Sequence, residues 1–244
     1  MSTIATPPSR AKLPPPDVYE QEYRYWPWGE VLRQVTEWVV REAPPHAHVL
    51  DYMCGTGFLL NEIRRARPDL MVGGCDIDDR YVTYGNDRYS AAIDAGDALD
   101  YRPGAMPQLV LCTAGLHHIT PAEQRAFVRK VAGELPPGGT FLIAEEVLSD
   151  FTSEAGRRRA VIQLSGELIL FALDQGAPEA VIEAATDVMV NDLLLRGEYK
   201  QSLFQWRELL SPWFALQEER FVWPAPHATF GDVMIICRRT SDDR

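Results

Sequence analysis

The sequence has few cysteines, no long apolar run and no apolar segment at its start. The four cysteines are isolated, and no two have the close spacing of a zinc site; they are Cys54, Cys75, Cys112 and Cys237. We therefore predict buried free thiols in a reducing compartment. No apolar stretch is long enough to cross a bilayer, and the core of a secretion signal is missing. The expected location is the cytoplasm, with no membrane partner.

Basic residues are also scarce. Lysine and arginine number 24 against 35 aspartates and glutamates, so the formal net charge is −11. Because a phosphate backbone is bound by clustered basic side chains, this balance argues against nucleic acid as a partner. The local basic run at residues 157–159 follows Glu154 and is interpreted as a solvated helix face.

The chain begins with a segment rich in proline and small polar residues. This composition predicts a mobile tail over residues 1–16, followed by a single domain over residues 17–244. Asp17 can cap a short first helix. An aromatic segment at residues 23–28 leads into a second helix over about residues 30–41.

From His46 onward, short apolar runs alternate with helical patterns. The apolar runs end near residues 51, 76, 96, 113 and 144, and two more cover residues 214–222 and 233–237. Strands that are buried on both faces and separated by helices indicate parallel βαβ units. We predict an α/β fold: a Rossmann-like, seven-stranded, mostly parallel sheet with helices on both faces and an N-terminal helical arm.

Residues 150–200 interrupt this alternation. They are predicted to be helical throughout, in two segments separated near residues 176–178. The segment is longer than one crossover helix requires, so it is interpreted as a helical cap inserted after strand 5 and packed over the sheet edge. Its apolar stripes are equally consistent with a homodimer interface, and the two interpretations are compatible.

The segment VLDYMCGTG at residues 49–57 is the strongest motif. A strand that ends at Asp51 runs into Gly55 and Gly57, which open the next helix. Such a turn lets the backbone approach a ligand closely. Leu60 stands where the third glycine of a dinucleotide-binding loop would fall, which argues against a nicotinamide oxidoreductase.

Two further carboxylates follow strand ends. Asp76 can accept hydrogen bonds from the two hydroxyls of a ribose, as carboxylates do in dinucleotide-binding enzymes. Asp97 follows the third strand, where it can meet an adenine amino group.

Five segments in order resemble the motif series of the class I S-adenosylmethionine-dependent methyltransferases of small-molecule type. They are VLDYMCGTG, GCDID, AGDALD, LVLCTAGLHHI and LPPGGTFLIAEE, and they cover about residues 46–146. Each segment is weakly specific alone, but five at the expected gaps are specific together. The resemblance implies S-adenosylmethionine as the cofactor and S-adenosylhomocysteine as its product.

The resemblance also implies roles for individual residues. It implies that the methionine part of the cofactor is held by Asp51 and by the backbone of Gly55 and Gly57. The ribose would be held by Asp76, the adenine by Ile77, Asp97 and Ala98, and the sulfonium would lie beside Thr113. Met53 departs from the family pattern, since many relatives have a glycine there.

Candidate residues for the acceptor side lie after strands 4 and 5. His117 could be a general base and His118 a substrate contact, or the pair could pack the loop instead. Glu145 and Glu146 end the fifth strand at the edge where such sheets bind ligands. Because side chains alternate along a strand, at most one is expected to point inward; Glu146 is the candidate catalytic residue, and a solvated charge is the alternative.

Aromatic residues near the N-terminus are candidates for a lid. Tyr19 and Tyr23 are predicted to bind substrate by stacking, whereas Trp28 is expected to fasten the arm to the core. The remaining histidines are scattered, so no metal set is expected; they are His46, His48 and His227.

Together these features predict methyl transfer to an O, N or C nucleophile of a small, partly apolar acceptor, such as a secondary metabolite. Two alternatives retain the cofactor site without methylation: a cyclase-type enzyme, and a scaffold or regulator. The intact set of carboxylates and glycines argues against the scaffold, which has no need of a ligand site.

Overall fold

The computed structural model describes residues 13–241. Seven strands form one sheet in the order β3-β2-β1-β4-β5-β7-β6. They are β1 (His48–Tyr52), β2 (Met71–Asp76), β3 (Ile93–Ala95), β4 (Leu109–Thr113), β5 (Thr140–Val147), β6 (Phe214–Trp223) and β7 (Gly231–Arg239). Strands β1 to β5 are parallel, and β7 runs antiparallel between β5 and β6. The predicted Rossmann-like architecture is confirmed.

Helices cover both faces of this sheet. They are α1 (Pro16–Tyr25), α2 (Trp28–Glu42), α3 (Phe58–Ala66), α4 (Asp79–Tyr89), α5 (Pro121–Glu134), α6 (Glu154–Asp174), α7 (Glu179–Leu193) and α8 (Leu203–Leu210). Capping boxes begin α5 at Thr120 and α8 at Ser202. None of the helices within residues 13–241 is both long and apolar enough to span a bilayer.

Two apolar layers hold the helices against the sheet. Adjacent residues of a strand enter different layers: Val49 packs with α2 and α3, while Leu50 packs with α5 and α8. The same alternation holds at Val110 and Leu111 of β4. The central strands are therefore buried on both faces, which explains their continuous apolar runs. All four cysteines are buried and free, as predicted.

The boundary of the N-terminal tail differs from the prediction. Residues 1–12 lie outside the described part of the chain, but residues 13–16 are described, and α1 begins at Pro16 without a side-chain cap. Proline suits this position because a first-turn N–H has no helical partner. The carbonyl of Pro14 accepts a hydrogen bond from Tyr81 Oη at 2.9 Å, and that of Leu13 accepts one from Arg80 at 3.3 Å. The mobile-tail prediction is therefore wrong for residues 13–16.

The cap consists of α6 and α7, separated at residues 175–178 as predicted. The expectation of helix up to residue 200 is wrong, because the chain leaves α7 after Leu193 and runs back beneath the sheet edge. There, Leu148 N donates to Gln201 O at 2.9 Å, and Tyr199 N donates to His117 O at 2.7 Å. We call residues 194–202 the return segment. It carries Glu198 into the interior.

Arg157 also departs from its predicted role as a solvated residue. It is buried, and its guanidinium donates to the carbonyl of Asp192 at 3.0 Å and to the Asp192 carboxylate at 3.1 Å. The side chain thereby satisfies the C-terminal end of α7, where carbonyls lack helical partners. Arg158 and Arg159 are exposed, as expected.

Candidate active site

Two adjoining cavities open at the carboxyl edge of the parallel strands. The sheet-edge cavity is lined by Leu13, Tyr19, Met53, Gly55, Asp76, Ile77, Tyr81, Asp97, Ala98, Ala114, His118 and Ile119. The cap cavity is lined by Leu13, Pro14, Tyr19, Glu22, Trp26, Trp28, Ala114, His117, His118, Glu146, Ala184, Asp187, Val188, Asn191 and Glu198. They share four residues, so a ligand in one lies next to a ligand in the other.

The turn after β1 brings backbone to the sheet-edge cavity. Met53, Gly55 and Gly57 all have positive φ, at 56°, 56° and 71°. Met53 thus adopts the left-handed conformation that favours glycine, and its side chain lines the cavity. A Cβ on Gly55 would lie 3.0 Å from the Tyr19 ring, whereas one on Gly57 would lie 2.7 Å from Ile93. Gly55 therefore faces the cavity, and Gly57 allows close packing behind it.

Asp51 lies behind this turn and is not part of the cavity wall. It is 1% exposed, and neither of its carboxyl oxygens has a hydrogen-bond partner within the described chain. Burial, reinforced by the nearby Asp76, raises the pKa of Asp51 to about 8. A buried carboxyl without a partner is costly, and it could pair with a cationic group of a ligand such as the ammonium of S-adenosylmethionine.

Asp76 is the carboxylate of the sheet-edge cavity with the most defined geometry. Its Oδ2 accepts from Gly55 N at 2.8 Å, and its Oδ1 accepts from Asp78 N at 2.9 Å. Burial raises its pKa, and the two backbone donors oppose that shift. Each carboxylate oxygen can accept a second hydrogen bond, so Asp76 can still bind two hydroxyls.

The other predicted cofactor residues converge on the same wall. Ile77 is 46% exposed and lines the cavity beside Ala98. Asp97 lines it as well, and its Oδ1 accepts from Leu99 N at 3.0 Å. Thr113 is absent from both walls. The next residue, Ala114, takes a φ of 50° and lines both cavities, so the position of the sulfonium beside Thr113 stays a prediction.

His117 is held firmly on the cap side. A short 3₁₀ turn, Leu116–His118, follows β4. Glu145 fixes this turn: its Oε1 accepts from Gly115 N at 3.1 Å and from Leu116 N at 2.8 Å, while its Oε2 lies 2.5 Å from His117 Nδ1. His117 is 3% exposed yet lines the cap cavity. The predicted catalytic position and the predicted packing role are therefore compatible.

Of the two glutamates at the end of β5, Glu146 lines a cavity and Glu145 does not, in line with the expectation that at most one faces the pocket. Both are buried, so the solvated-charge alternative is wrong. Glu145 is 0% exposed beneath the 3₁₀ turn, and Glu146 is 9% exposed. Glu146 lines the cap cavity, and its Oε2 lies 3.1 Å from Lys200 Nζ. The return segment packs over Glu146 through Lys200, at a position where the sequence allowed a solvated charge.

Three buried charged residues at this site were not indicated by the sequence: Glu22, Glu198 and Lys200. Lys200 Nζ lies 2.7 Å from Glu198 and 3.9 Å from Asp192. Burial alone would lower the pKa of Lys200, but the surrounding carboxylates outweigh it and raise that pKa. Burial and then the charges of Glu146 and Glu198 raise the pKa of Glu22. No motif marks these residues, which come from α1 and from the return segment.

The aromatic residues divide between wall and support. Tyr19 lines both cavities, with its ring 4.8 Å from that of Tyr81. Tyr23 lines neither; it packs at 5.3 Å against the Tyr19 ring, so its predicted direct contact with substrate is not supported. Trp28 is buried in the core as expected, but it also reaches the cap cavity.

The raised pKa of Asp51 makes the stability of the ligand-free protein depend on pH. Between the unfolded value near 4 and about 8, only the folded state holds this proton. Stability therefore falls as pH rises through this window, by up to about 1.4 kcal/mol per pH unit. Urea unfolding at pH 5 and pH 8 should show a smaller pH dependence for Asp51→Asn than for the natural protein. Equal pH dependence in both would contradict the shift.

Comparison with known proteins gives one domain match. Residues 49–139 match the family model described as "Methyltransferase domain". The carboxy-S-adenosyl-L-methionine synthase of Campylobacter fetus is 28% identical over 109 residues, which are 43% of this chain and 46% of that protein. The alignment thus spans less than half the length of this curated relative.

Solved methyltransferases share the fold. The N-methyltransferase NodS of Bradyrhizobium japonicum matches with a TM-score of 0.53 at 12% identity, covering 88% of this chain and 97% of NodS. The magnesium protoporphyrin IX methyltransferase of Synechocystis, with bound S-adenosylhomocysteine, matches with a TM-score of 0.59 at 15% identity, covering 88% and 84%. The chain thus contains a match to a methyltransferase domain over residues 49–139, and it shares its fold with solved S-adenosylmethionine-dependent methyltransferases.

Proposed function

We propose that this protein transfers the methyl group of S-adenosylmethionine to a small, partly apolar acceptor that is neutral or cationic. The observation that carries this proposal is the junction of the two cavities at Tyr19, Ala114 and His118. One cavity has the carboxylates that a nucleoside requires, and the other lies under the cap. Methyl transfer needs two ligands side by side, and this arrangement supplies adjoining sites for them.

The sheet-edge cavity suits the cofactor. Asp76 offers free lone pairs for the ribose hydroxyls, and Asp97 with Ala98 offers an edge for adenine. When bound, S-adenosylmethionine supplies an electrophilic methyl group on a sulfonium. The chain's own task is then to hold the nucleophile in line and to exclude water.

The cap cavity limits the charge of the acceptor. Its described wall contains four carboxyl side chains and no lysine or arginine; the carboxyls belong to Glu22, Glu146, Asp187 and Glu198. An anionic acceptor would be repelled there. Trp26, Trp28 and Val188 provide apolar area for the rest of the molecule. The same repulsion would act on a carboxylate co-substrate. The wall therefore disfavours a carboxylating reaction on the cofactor, the reaction indicated by the name of the carboxy-S-adenosyl-L-methionine synthase.

His117 could accept the proton that a hydroxyl or amine acceptor loses. With Nδ1–H donating to Glu145, the other nitrogen, Nε2, is left as a base near the cavity. We expect His117→Ala to lower the methylation rate about tenfold or more while leaving the affinity for S-adenosylhomocysteine unchanged. His227→Ala, at an exposed position, is the control. Wild-type turnover in His117→Ala would return this residue to a packing role.

The decisive experiment combines binding with turnover. Calorimetry should detect micromolar binding of S-adenosylhomocysteine and none of NADH. Purified enzyme is then incubated with methyl-labelled S-adenosylmethionine and a panel of neutral, cationic and anionic aromatic acceptors. Label in neutral or cationic acceptors supports the proposal, and label only in anionic ones contradicts the acceptor class. Cofactor consumption without methylated product would favour the non-methylating alternative.

A further inference from the structure

Three potential ligand atoms converge in the wall of the cap cavity. His118 Nδ1 lies 3.2 Å from Glu198 Oε1, and His117 Nε2 lies 3.6 Å from Glu198 Oε2. One nitrogen of each histidine and one carboxylate oxygen all lie within 4.8 Å of one another. Ligands bound about 2.1 Å from a metal in a tetrahedral site are about 3.4 Å apart. The observed separations therefore need little adjustment to surround one ion.

The support behind His117 is of the kind that metal ligands have. Its Nδ1 lies 2.5 Å from the fully buried carboxylate of Glu145, whose other oxygen is held by two backbone N–H groups. A histidine that binds a metal usually donates its second N–H to a carboxylate or carbonyl, which fixes the ring and the free nitrogen. In His117 that free nitrogen, Nε2, is directed towards Glu198.

The charges around these atoms leave room for a cation. Six buried carboxyl groups share this region with two buried cations, Lys200 and Arg157; the carboxyl groups belong to Glu22, Glu145, Glu146, Asp192, Glu198 and Asp232. The carboxyl groups outnumber the cations, and a divalent cation would offset part of this excess. Lys200 contacts Oε2 of Glu198 and leaves Oε1 facing His118.

The two imidazole rings lie with their centroids 4.2 Å apart and their planes inclined at 56°. Two imidazolium ions at this distance repel each other in a buried site, whereas a single ion bound by both neutral rings does not. The close spacing of the rings therefore suits one shared ion.

We propose that His117, His118 and Glu198 bind one divalent transition-metal ion in the wall of the cap cavity. Two imidazole nitrogens and one carboxylate oxygen suit zinc, cobalt, nickel or ferrous iron better than magnesium or calcium. Since all three residues line the cavity, the remaining coordination positions face it. In the metal-bound protein His117 Nε2 is a ligand and no longer a free base. If the proposed function holds, the ion then takes over the activation of the acceptor: it binds an acceptor oxygen or nitrogen atom and lowers the pKa of a coordinated hydroxyl.

Metal-stripped protein titrated with Co²⁺ and, in competition with a coloured chelator, with Zn²⁺ tests this directly. We expect one equivalent per chain and a visible cobalt absorption band that reports nitrogen ligation. His118→Ala should weaken Zn²⁺ binding at least tenfold, because one direct ligand is lost. Its side chain is 32% exposed, so this variant is expected to fold, as circular dichroism would verify. Glu198→Gln should behave in the same way.

The exposed histidines provide matched controls. His46 and His227 lie outside the cluster. The variants His46→Ala and His227→Ala should therefore bind both metals as the natural protein does. The proposal would be overturned if the natural protein bound no more metal than His118→Ala does. It would also be overturned if the natural protein and all variants bound the metals with equal affinity. Binding of S-adenosylhomocysteine, measured on the same samples, separates a failed metal site from a failed cofactor site.

Discussion

Asp76→Ala is expected to weaken binding of S-adenosylhomocysteine by about 1–3 kcal/mol, or about five- to 150-fold. The substitution removes the acceptor of the ribose hydroxyls from a site where the carboxylate is only 7% exposed. It also frees the backbone N–H of Gly55, which Asp76 now holds at 2.8 Å in the turn that faces the cofactor. Calorimetry at neutral pH measures the loss directly.

Asp94→Ala is the matched control for this measurement. Asp94 lies at the neighbouring strand β3 but is exposed, bonds Tyr101 Oη at 2.7 Å and is outside the sheet-edge cavity. Its affinity should equal that of the natural protein. If Asp76→Ala also bound normally, the assignment of the ribose to Asp76 would be wrong.

Lys200→Met is expected to lower the free energy of unfolding by about 3–5 kcal/mol. The ammonium lies between Glu146, Glu198 and Asp192, and its side chain is 2% exposed. Removing it leaves carboxylates buried without a cation, and that penalty is larger than the net contribution of the ion pairs themselves. Urea unfolding followed by circular dichroism gives the change.

Arg158→Met shows how the same loss of charge behaves at the surface. Arg158 pairs with Glu154, and both side chains are more than half exposed, so the unfolding midpoint should stay near that of the natural protein. If Lys200→Met had a similarly small effect, the carboxyl groups of Glu146, Glu198 and Asp192 would already be neutral in the folded protein.

The sheet and the cofactor half of the site were predictable because their signals are local. Asp51, Gly55 and Asp76 stand at strand ends, and apolar runs mark the strands. Parallel topology then brings these ends to one edge. The left-handed conformation of Ala114, which lines both cavities, was not predictable, because no apolar period indicates it.

The acceptor half depends on contacts between distant segments. Glu22 lies on α1, Glu146 on β5 and Glu198 beyond the cap, and only the folded chain brings them to one cavity. Charged residues at such positions resemble a solvated surface in the sequence. For the same reason the sequence does not show that Glu198 lies beside His117 and His118.

The N-terminal helix has a consequence for catalytic turnover. Leu13 and Tyr19 belong to the walls of both cavities. Glu20 of α1 accepts hydrogen bonds from Tyr84 Oη at 3.1 Å and from Tyr89 Oη at 2.8 Å. A displacement of α1 that broke these bonds would remove Tyr19 from both walls and open both cavities together. Under the proposed function, both products would then leave through one shared opening.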